Sequence, residues 1–274
     1  MKSLPIGYID RVQTNRSGVA VLSYLHSFHA GCQADVHKHR ALVGLLRHLI
    51  NKPRPITYME THAGRGLYDL ASPQAQKTGE AKDGIGKLLD GNHHADDDPY
   101  LQLVEEIRKM HGDTAYPGSP SIARLLLRAT DSLHLMELHP AEYPALKRLM
   151  KGSGAHIHHR DGYEGVLALS PPTPRRGMVL IDPSFEVKDE YLDVAKFIPA
   201  LIKKWPEAVV MLWYPLLAEE HHQGMILRLT GAGLPDTEIH ETMFTGSEDA
   251  RGMRGSGLFL VNKPYGYTLA HSAQ

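Results

Sequence analysis

The sequence predicts an α/β fold built on an open, mainly parallel sheet with helices on both faces. Short apolar runs rich in Val, Ile, Leu and Met alternate with helix-length stretches along most of the 274 residues, the pattern of strands joined by crossover helices. The residues able to do chemistry stand at the carboxyl ends of those runs, where open parallel sheets place their ligands. One segment, 67–115, breaks the alternation and reads as an insertion.

Residues 1–21 are polar, lack the apolar stretch of a signal peptide and are expected to form a flexible extension. The following stretch packs His26, His29, His37 and His39 beside Tyr24, Asp35 and Lys38. Metal ligation is one reading, but His37 and His39 point to different sides of a helix and no H-E-x-x-H pattern is present. The reading preferred here assigns no metal. It places Lys38 and His39 early in an apolar helix whose face lines the site.

The first strand, within 56–64, runs into Thr61-His62-Ala63-Gly64-Arg65-Gly66, where small residues let backbone approach a bound cofactor. This is not a phosphate-binding P-loop, and it carries only part of a dinucleotide fingerprint. About seventy residues separate that loop from the next strand, where a simple βαβ unit needs roughly thirty. The excess, 67–115, is expected to be mostly helical, leaving 22–66 and 116–274 as the main domain.

Pro117-Gly118-Ser119-Pro120 should open a helix, with Ser119 or Ser121 as its cap and Arg124 and Arg128 on one face. Strands then follow within 133–140, ending at Glu137, and 155–162, ending at Asp161-Gly162. The next, within 177–183, ends on Asp182-Pro183-Ser184-Phe185, and that within 208–215 ends on Trp213-Tyr214-Pro215. Runs at 237–244 and 257–264 form a final pair. Arg175-Arg176 and the loop arginines Arg251 and Arg254 suit phosphate contacts, with ordinary surface charge as the alternative.

Composition narrows the function. At 42% apolar the chain supports one core carrying an insertion, and no apolar run reaches membrane-spanning length. The single cysteine, Cys32, excludes an intramolecular disulfide framework and fits a reducing cytoplasm. A net charge of −1 argues against non-specific coating of nucleic acid.

The strand ends suggest a division of labour. Asp182 and the Pro183 carbonyl can each accept a hydrogen bond from an exocyclic amino group while Phe185 stacks on the ring. Glu137 can receive ribose hydroxyls, and Asp161 can accept from an adenine amino group. Singly these are a solvated acid and a turn-forming Asp-Gly; together they describe an adenosine-containing cofactor lying across the sheet.

Taken in order, YxHSFHAGxxADVxKH, THAGxGxY, YPGSPxIARLLLR, ELHPxxYPxL, the Asp161-Gly162 pair, RRGxxLIDP and LWYP are specific. Over residues 22–264 the chain closely resembles the RlmJ family, bacterial methyltransferases that modify an adenine amino group of large-subunit ribosomal RNA. The resemblance implies a class I, Rossmann-like methyltransferase sheet with a small helical insertion after the first strand, S-adenosylmethionine as cofactor, and 23S ribosomal RNA adenine N6 as target. It implies cofactor contacts at His39, His62, Ser119, Glu137, Asp161 and Gly162, with Lys38 and Gly64 on the same side. Asp182 falls at the catalytic position, with Pro183 and Phe185 completing the tetrad, and Tyr24 and His26 fall on the substrate side.

The family tetrad is Asp-Pro-Pro-Tyr, so Ser184 and Phe185 are departures, as are Cys32 in place of a common Asn and about twenty extra residues before Tyr24. The expected substrate is protein-free or early-assembly ribosomal RNA, and the expected protein is cytoplasmic with no membrane partner, its oligomeric state left open with a monomer favoured. Two other readings stay open on residues alone. One is methylation of DNA adenine, since the tetrad reads the base and not the sugar. The other, motivated by Ser184, is a catalytically weakened nucleic-acid-binding protein on the same scaffold.

Overall fold

The structure is a computed structural model, and the residues described are 25–91, 98–244 and 252–269. Tyr24 and Arg251 lie outside them. After a short 3-10 turn at His26–Phe28 come α1 (Gln33–Ile50), β1 (Thr57–Glu60), β2 (Leu67–Asp69), α2 (Pro73–Thr78), α3 (Ile85–Asp90) and α4 (Pro99–His111). The chain continues through β3 (Ala115–Pro117), α5 (Ser119–Leu126), β4 (Ser132–Met136), α6 (Glu142–Leu149), β5 (His156–His158) and α7 (Gly162–Leu169). It ends with β6 (Gly177–Ile181), α8 (Asp189–Lys204), β7 (Val209–Leu217), α9 (His222–Thr230), β8 (Glu238–Met243) and β9 (Met253–Val261).

Seven strands form one sheet in the order β5-β4-β1-β6-β7-β9-β8. Strand β1 pairs in parallel with both β4 and β6, and β9 runs antiparallel to β7 and β8. The chain moves outward from β1 through β4 to β5, then returns to the far side of β1 as β6. That reversal between β1 and β6 is a topological switch point, which opens a crevice beyond the strands' carboxyl ends.

The strands read as continuous apolar runs because both sheet faces are covered. Within them alternate residues serve opposite cores. Tyr58, Leu180 and Met211 pack with Leu42, Leu45 and Leu46 of α1, whereas Met59, Val179, Ile181 and Leu212 pack with Ile198 and Leu201 of α8 and with Trp205 just after it. The α1 residues Leu42, Leu45, Leu46 and Leu49 recur at helical spacing and are buried, each contributing roughly 1.5–3 kcal/mol of apolar transfer.

Between β1 and β4 the chain makes a two-stranded antiparallel ribbon, β2 with β3, that carries α2, α3 and α4. Helix α4 has Asp98 as its amino-terminal cap and buries Tyr100, Leu101, Val104 and Ile107. The Tyr100 hydroxyl lies 2.9 Å from that of Tyr116, which in turn lies 3.1 Å from His39 Nδ1, so this segment is fastened to α1.

Two local expectations differ. Gly118, not a serine, occupies the cap position of α5, because Ser119 Oγ donates to Glu60 at 2.9 Å and Ser121 Oγ to the Gly66 carbonyl at 2.6 Å. Arg124 and Arg128, read as a basic face, and Arg175-Arg176, read as phosphate contacts, are tied up within the protein. Arg128 donates to the carbonyls of Ile50, Lys52 and Arg54 and to Asp131; Arg176 donates to the carbonyls of Leu49 and Arg54; and Arg175 pairs with Glu207. Arg128 and Arg176 clamp the loop into β1 and Arg175 ties to the loop before β7, so all three sit at the amino-terminal ends of the strands, opposite the crevice. Arg124 closes on the Leu149 carbonyl.

Candidate active site

Four strand ends converge on the crevice. Strand β1 delivers Glu60, Thr61 and His62; β4 delivers Glu137; β5 delivers Asp161-Gly162; and β6 delivers Asp182. The amino-terminal half of α1 lies over them and lowers Lys38 and His39 onto the strand ends. Lys38 donates to Asp182 Oδ2 at 2.7 Å and lies 3.0 Å from Asp35 Oδ1, with side chains 5%, 15% and 2% exposed. Asp35 Oδ2 also meets His26 Nε2 at 2.8 Å and accepts the Gly31 N–H at 2.9 Å.

This buried chain has a defined charge state. Burial alone would lower the Lys38 ammonium, but Asp182 and Asp35 more than offset it and hold the group above its usual range. Burial alone would raise the Asp35 carboxyl, but His26, Lys38 and His39 hold it well below the carboxylate range. His39 is pushed down to about 3 and His62 to about 4, mainly by burial, so both are neutral near pH 7. Glu60 is fully buried and pushed up to about 8 by burial; Tyr58 and Ser119 donate to it at 2.6 and 2.9 Å.

The loop after β1 is shaped by its surroundings. Gly64 adopts φ of +61°, and a Cβ there would stand 2.6 Å from the Tyr68 hydroxyl. Its N–H donates to Glu137 Oε2 at 2.6 Å, while His139 N–H donates to Oε1 at 2.6 Å. Each Glu137 oxygen keeps an accepting lone pair for a further donor. Arg65 holds Glu142 through two bonds of 2.9 and 2.6 Å, fixing the loop against α6. Asp161 caps α7 by accepting Glu164 N–H at 2.9 Å, and the loop backbone is so close that a Cβ on Gly162 would lie 2.0 Å from the Thr61 carbonyl.

Two cavities meet at the Lys38–Asp182 pair. The larger, about 300 Å³, is lined by Lys38, His39, His62, Gly64, Ser119 and Glu137, together with Asp161, Gly162 and Asp182. The smaller, about 190 Å³, is lined by Pro183, Phe185, Trp213, Pro215, Leu217 and Met253. His26, Lys38, Asp182 and Ser184 line both. The structure thus gathers the residues expected on the cofactor side into one cavity and puts Pro183 and Phe185 in the other. His26 stands at the junction.

Phe185 is more constrained than its place in the tetrad suggested. It has φ of +53° and 6% exposure, and its ring packs 4.4 Å from that of Tyr191. Ser184 Oγ donates to Glu190 at 3.4 Å, replacing the stiffness of a second proline with a long side-chain bond.

The sequence reading left out Asp35 as the second partner of Lys38, Glu60 beneath the site, and the Arg65–Glu142 clamp. The i, i+3 spacing of Asp35 and Lys38 was the one local signal available. It also left out the grip of the 73–90 segment on the loop carrying His26. Glu80 meets His29 at 3.0 Å, Ile85 N–H donates to the Gly31 carbonyl at 2.9 Å, and Thr78 Oγ1 donates to the Phe28 carbonyl.

The chain is similar to known proteins over most of its length. A family model described as "RsmJ: Ribosomal RNA large subunit methyltransferase D, RlmJ" matches residues 53–272. The chain is 39% identical over 247 residues to the ribosomal RNA large subunit methyltransferase J of Escherichia coli K12, covering 89% of this chain and 88% of that protein. It is 37% identical over 248 residues to the protein of the same name from Haemophilus influenzae, again covering 89% and 88%. Among solved structures, protein LPL1258 from Legionella pneumophila superposes with a TM-score of 0.77 at 35% identity, covering 86% of this chain and 88% of that one.

Proposed function

The chain belongs to the RlmJ family of large-subunit ribosomal RNA methyltransferases, and from that premise we propose that it transfers the methyl of S-adenosylmethionine to the exocyclic N6 of an adenine in 23S ribosomal RNA. Its fold is the class I methyltransferase sheet. The observation that carries the proposal is the Lys38–Asp182 ion pair at the junction of a carboxylate-lined cavity and an aromatic one.

The larger cavity suits the cofactor chemically. Glu137, Glu142, Asp161 and Asp182 line it against one ammonium, that of Lys38, so it favours a cationic ligand. Glu137 stands ready to accept ribose hydroxyls, and Asp161 an adenine amino group. When bound, S-adenosylmethionine supplies an electrophilic methyl on a positively charged sulfur.

The protein's own residues do the rest by placement. Asp182 Oδ1 has no partner among the described residues, and neither has the Pro183 carbonyl. Both can therefore accept from the target amino group, holding its nitrogen in line and stabilising the positive charge that develops on it. Lys38 fixes Asp182 through its other oxygen, so Asp182 orients and stabilises while the proton leaves to water. The base enters the smaller cavity, unpaired or flipped from its helix. Tyr24 and His26 hold the RNA side, and the 67–115 segment acts as an inserted unit that braces the His26 loop.

The test is transfer of labelled methyl to protein-free large-subunit RNA lacking the modification, beside matched DNA. Label at adenine N6 on RNA alone is the expected result. Label on DNA alone would assign the DNA reaction instead, and bound cofactor without label on either would leave a binding protein.

A further inference from the structure

His37 is singled out by the sequence, lies between two residues of the site, and takes no part in the chemistry above. It points to the other side of α1, where Nδ1 lies 2.9 Å from Ser256 Oγ on β9 and Nε2 lies 2.9 Å from His240 Nδ1 on β8. Ser256, fully buried, accepts the indole N–H of Trp213 at 2.7 Å. Trp213 ends this chain of contacts in the smaller cavity, its ring centroid 5.6 Å from Lys38 Nζ and 6.3 Å from that of Phe185. The chain joins α1, β7, β8 and β9, whose residues are up to 219 apart in sequence.

We propose that His37 and Ser256 are positioning residues that lock the Trp213 indole as the stacking platform for the target base. The inference rests on the reading that the smaller cavity receives that base. Phe185 offers little free face, since it is 6% exposed and packed on Tyr191. Trp213 is only partly buried and borders the cavity beside Asp182. An indole has one donor and no acceptor. Its N–H therefore fixes the rotation of the ring plane only if the accepting oxygen is itself held. Ser256 Oγ is held because the His37 ring is pinned at both nitrogens. Lys38, the next residue on α1, orients Asp182, so one turn of helix would set both the acceptor and the platform of the base.

The test is a double-mutant cycle on RNA methylation with cofactor affinity measured in parallel. Trp213→Phe keeps an aromatic face but removes the N–H; Ser256→Ala removes the acceptor; His37→Gln breaks its pinning. Each single change should lower kcat/KM for RNA about tenfold, the scale of one net hydrogen bond, with cofactor affinity within about twofold. In the Trp213→Phe background, Ser256→Ala and His37→Gln should cost nothing further. Multiplying losses would overturn the lock. Full activity in Trp213→Ala would overturn the base-cavity reading and the lock with it. A crippled Trp213→Ala beside an unimpaired Ser256→Ala would remove only the lock.

A second readout does not depend on activity. The chain has two tryptophans, and Trp205 is buried with its N–H on the Arg175 carbonyl at 2.6 Å. Fluorine spectra of 5-fluorotryptophan protein should show the Trp213 line displaced by Ser256→Ala and by His37→Gln, with the Trp205 line unmoved as a folding control. An unmoved Trp213 line in a folded variant would overturn the proposal.

Discussion

The Lys38 ammonium donates to Asp182 at 2.7 Å, and both residues border the two cavities of the site. Lys38 has two carboxylate partners and little solvent, so the pair is held by charge that cannot be removed singly without cost. Asp182→Ala should reduce methyl transfer by about 10²–10³-fold or more, with cofactor affinity retained. Lys38→Met should leave Asp182 without its cation and Asp35 with only His26 and the Gly31 N–H, and cost about 3–5 kcal/mol of stability as well as activity. Chemical denaturation alongside single-turnover methylation separates the two effects. Unchanged turnover in Asp182→Ala would remove its proposed role.

Glu137 is the next test, because its carboxylate both receives backbone donors and faces the larger cavity. Glu137→Gln keeps one acceptor but turns its other end into a donor, opposing either Gly64 N–H or His139 N–H. Cofactor affinity measured by calorimetry should fall about tenfold or more, as expected when one charge-assisted bond is lost. RNA affinity should move much less. Equal loss of both would show that Glu137 acts by shaping the loop alone.

The fold and the strand-end chemistry were legible in the sequence because both are local. An apolar run followed by Asp182-Pro183 or Asp161-Gly162 identifies a strand and its end from neighbouring residues. Contacts between distant segments carry no such signature. The Glu60–Ser119 bond joins positions 59 apart, and the Trp213–Ser256–His37 chain spans the sheet. Arg128 read as part of a basic face and Arg176 as a phosphate contact because their charge is visible in sequence, whereas the carbonyls that receive it are not. Their position before a strand, hence at the edge away from the crevice, was the better guide.

Stability should depend on pH through groups that work in opposite directions. His39 is held at about 3 in the fold, below its unfolded value near 6.5, so its contribution is present above pH 6.5 and lost as pH falls toward 3. Glu60, held at about 8, is the reverse case: its folded value exceeds the unfolded one near 4.3, so stability is present below pH 4 and lost as pH rises toward 8. Relative to the native chain, His39→Gln should therefore gain up to roughly 2 kcal/mol between pH 6.5 and 5. Glu60→Gln should gain by a similar amount between pH 5 and 6.5. Urea midpoints across that range check both, and parallel curves for all three proteins would refute the assignment.

The grip of the 73–90 segment on the His26 loop can be tested at one glycine. A Cβ on Gly84 would stand 2.1 Å from the Gly31 carbonyl and 2.5 Å from the Cys32 carbonyl carbon, both backbone atoms with nowhere to go. Gly31 leads directly into the Cys32 cap of α1, and its N–H bonds Asp35, the partner of Lys38 and His26. Gly84→Ala should therefore push the start of α1 away from the crevice. The cost is about 1–3 kcal/mol of stability, as for other overpacked sites. Methyl transfer should fall more than cofactor affinity, because Glu137 and Asp161 are reached from the opposite side of the cavity. Ala in place of Gly79, whose Cβ position is open, is the matched control, although its φ of +69° carries a modest strain of its own. If Gly84→Ala and Gly79→Ala behave alike in transfer, the segment does not brace the site.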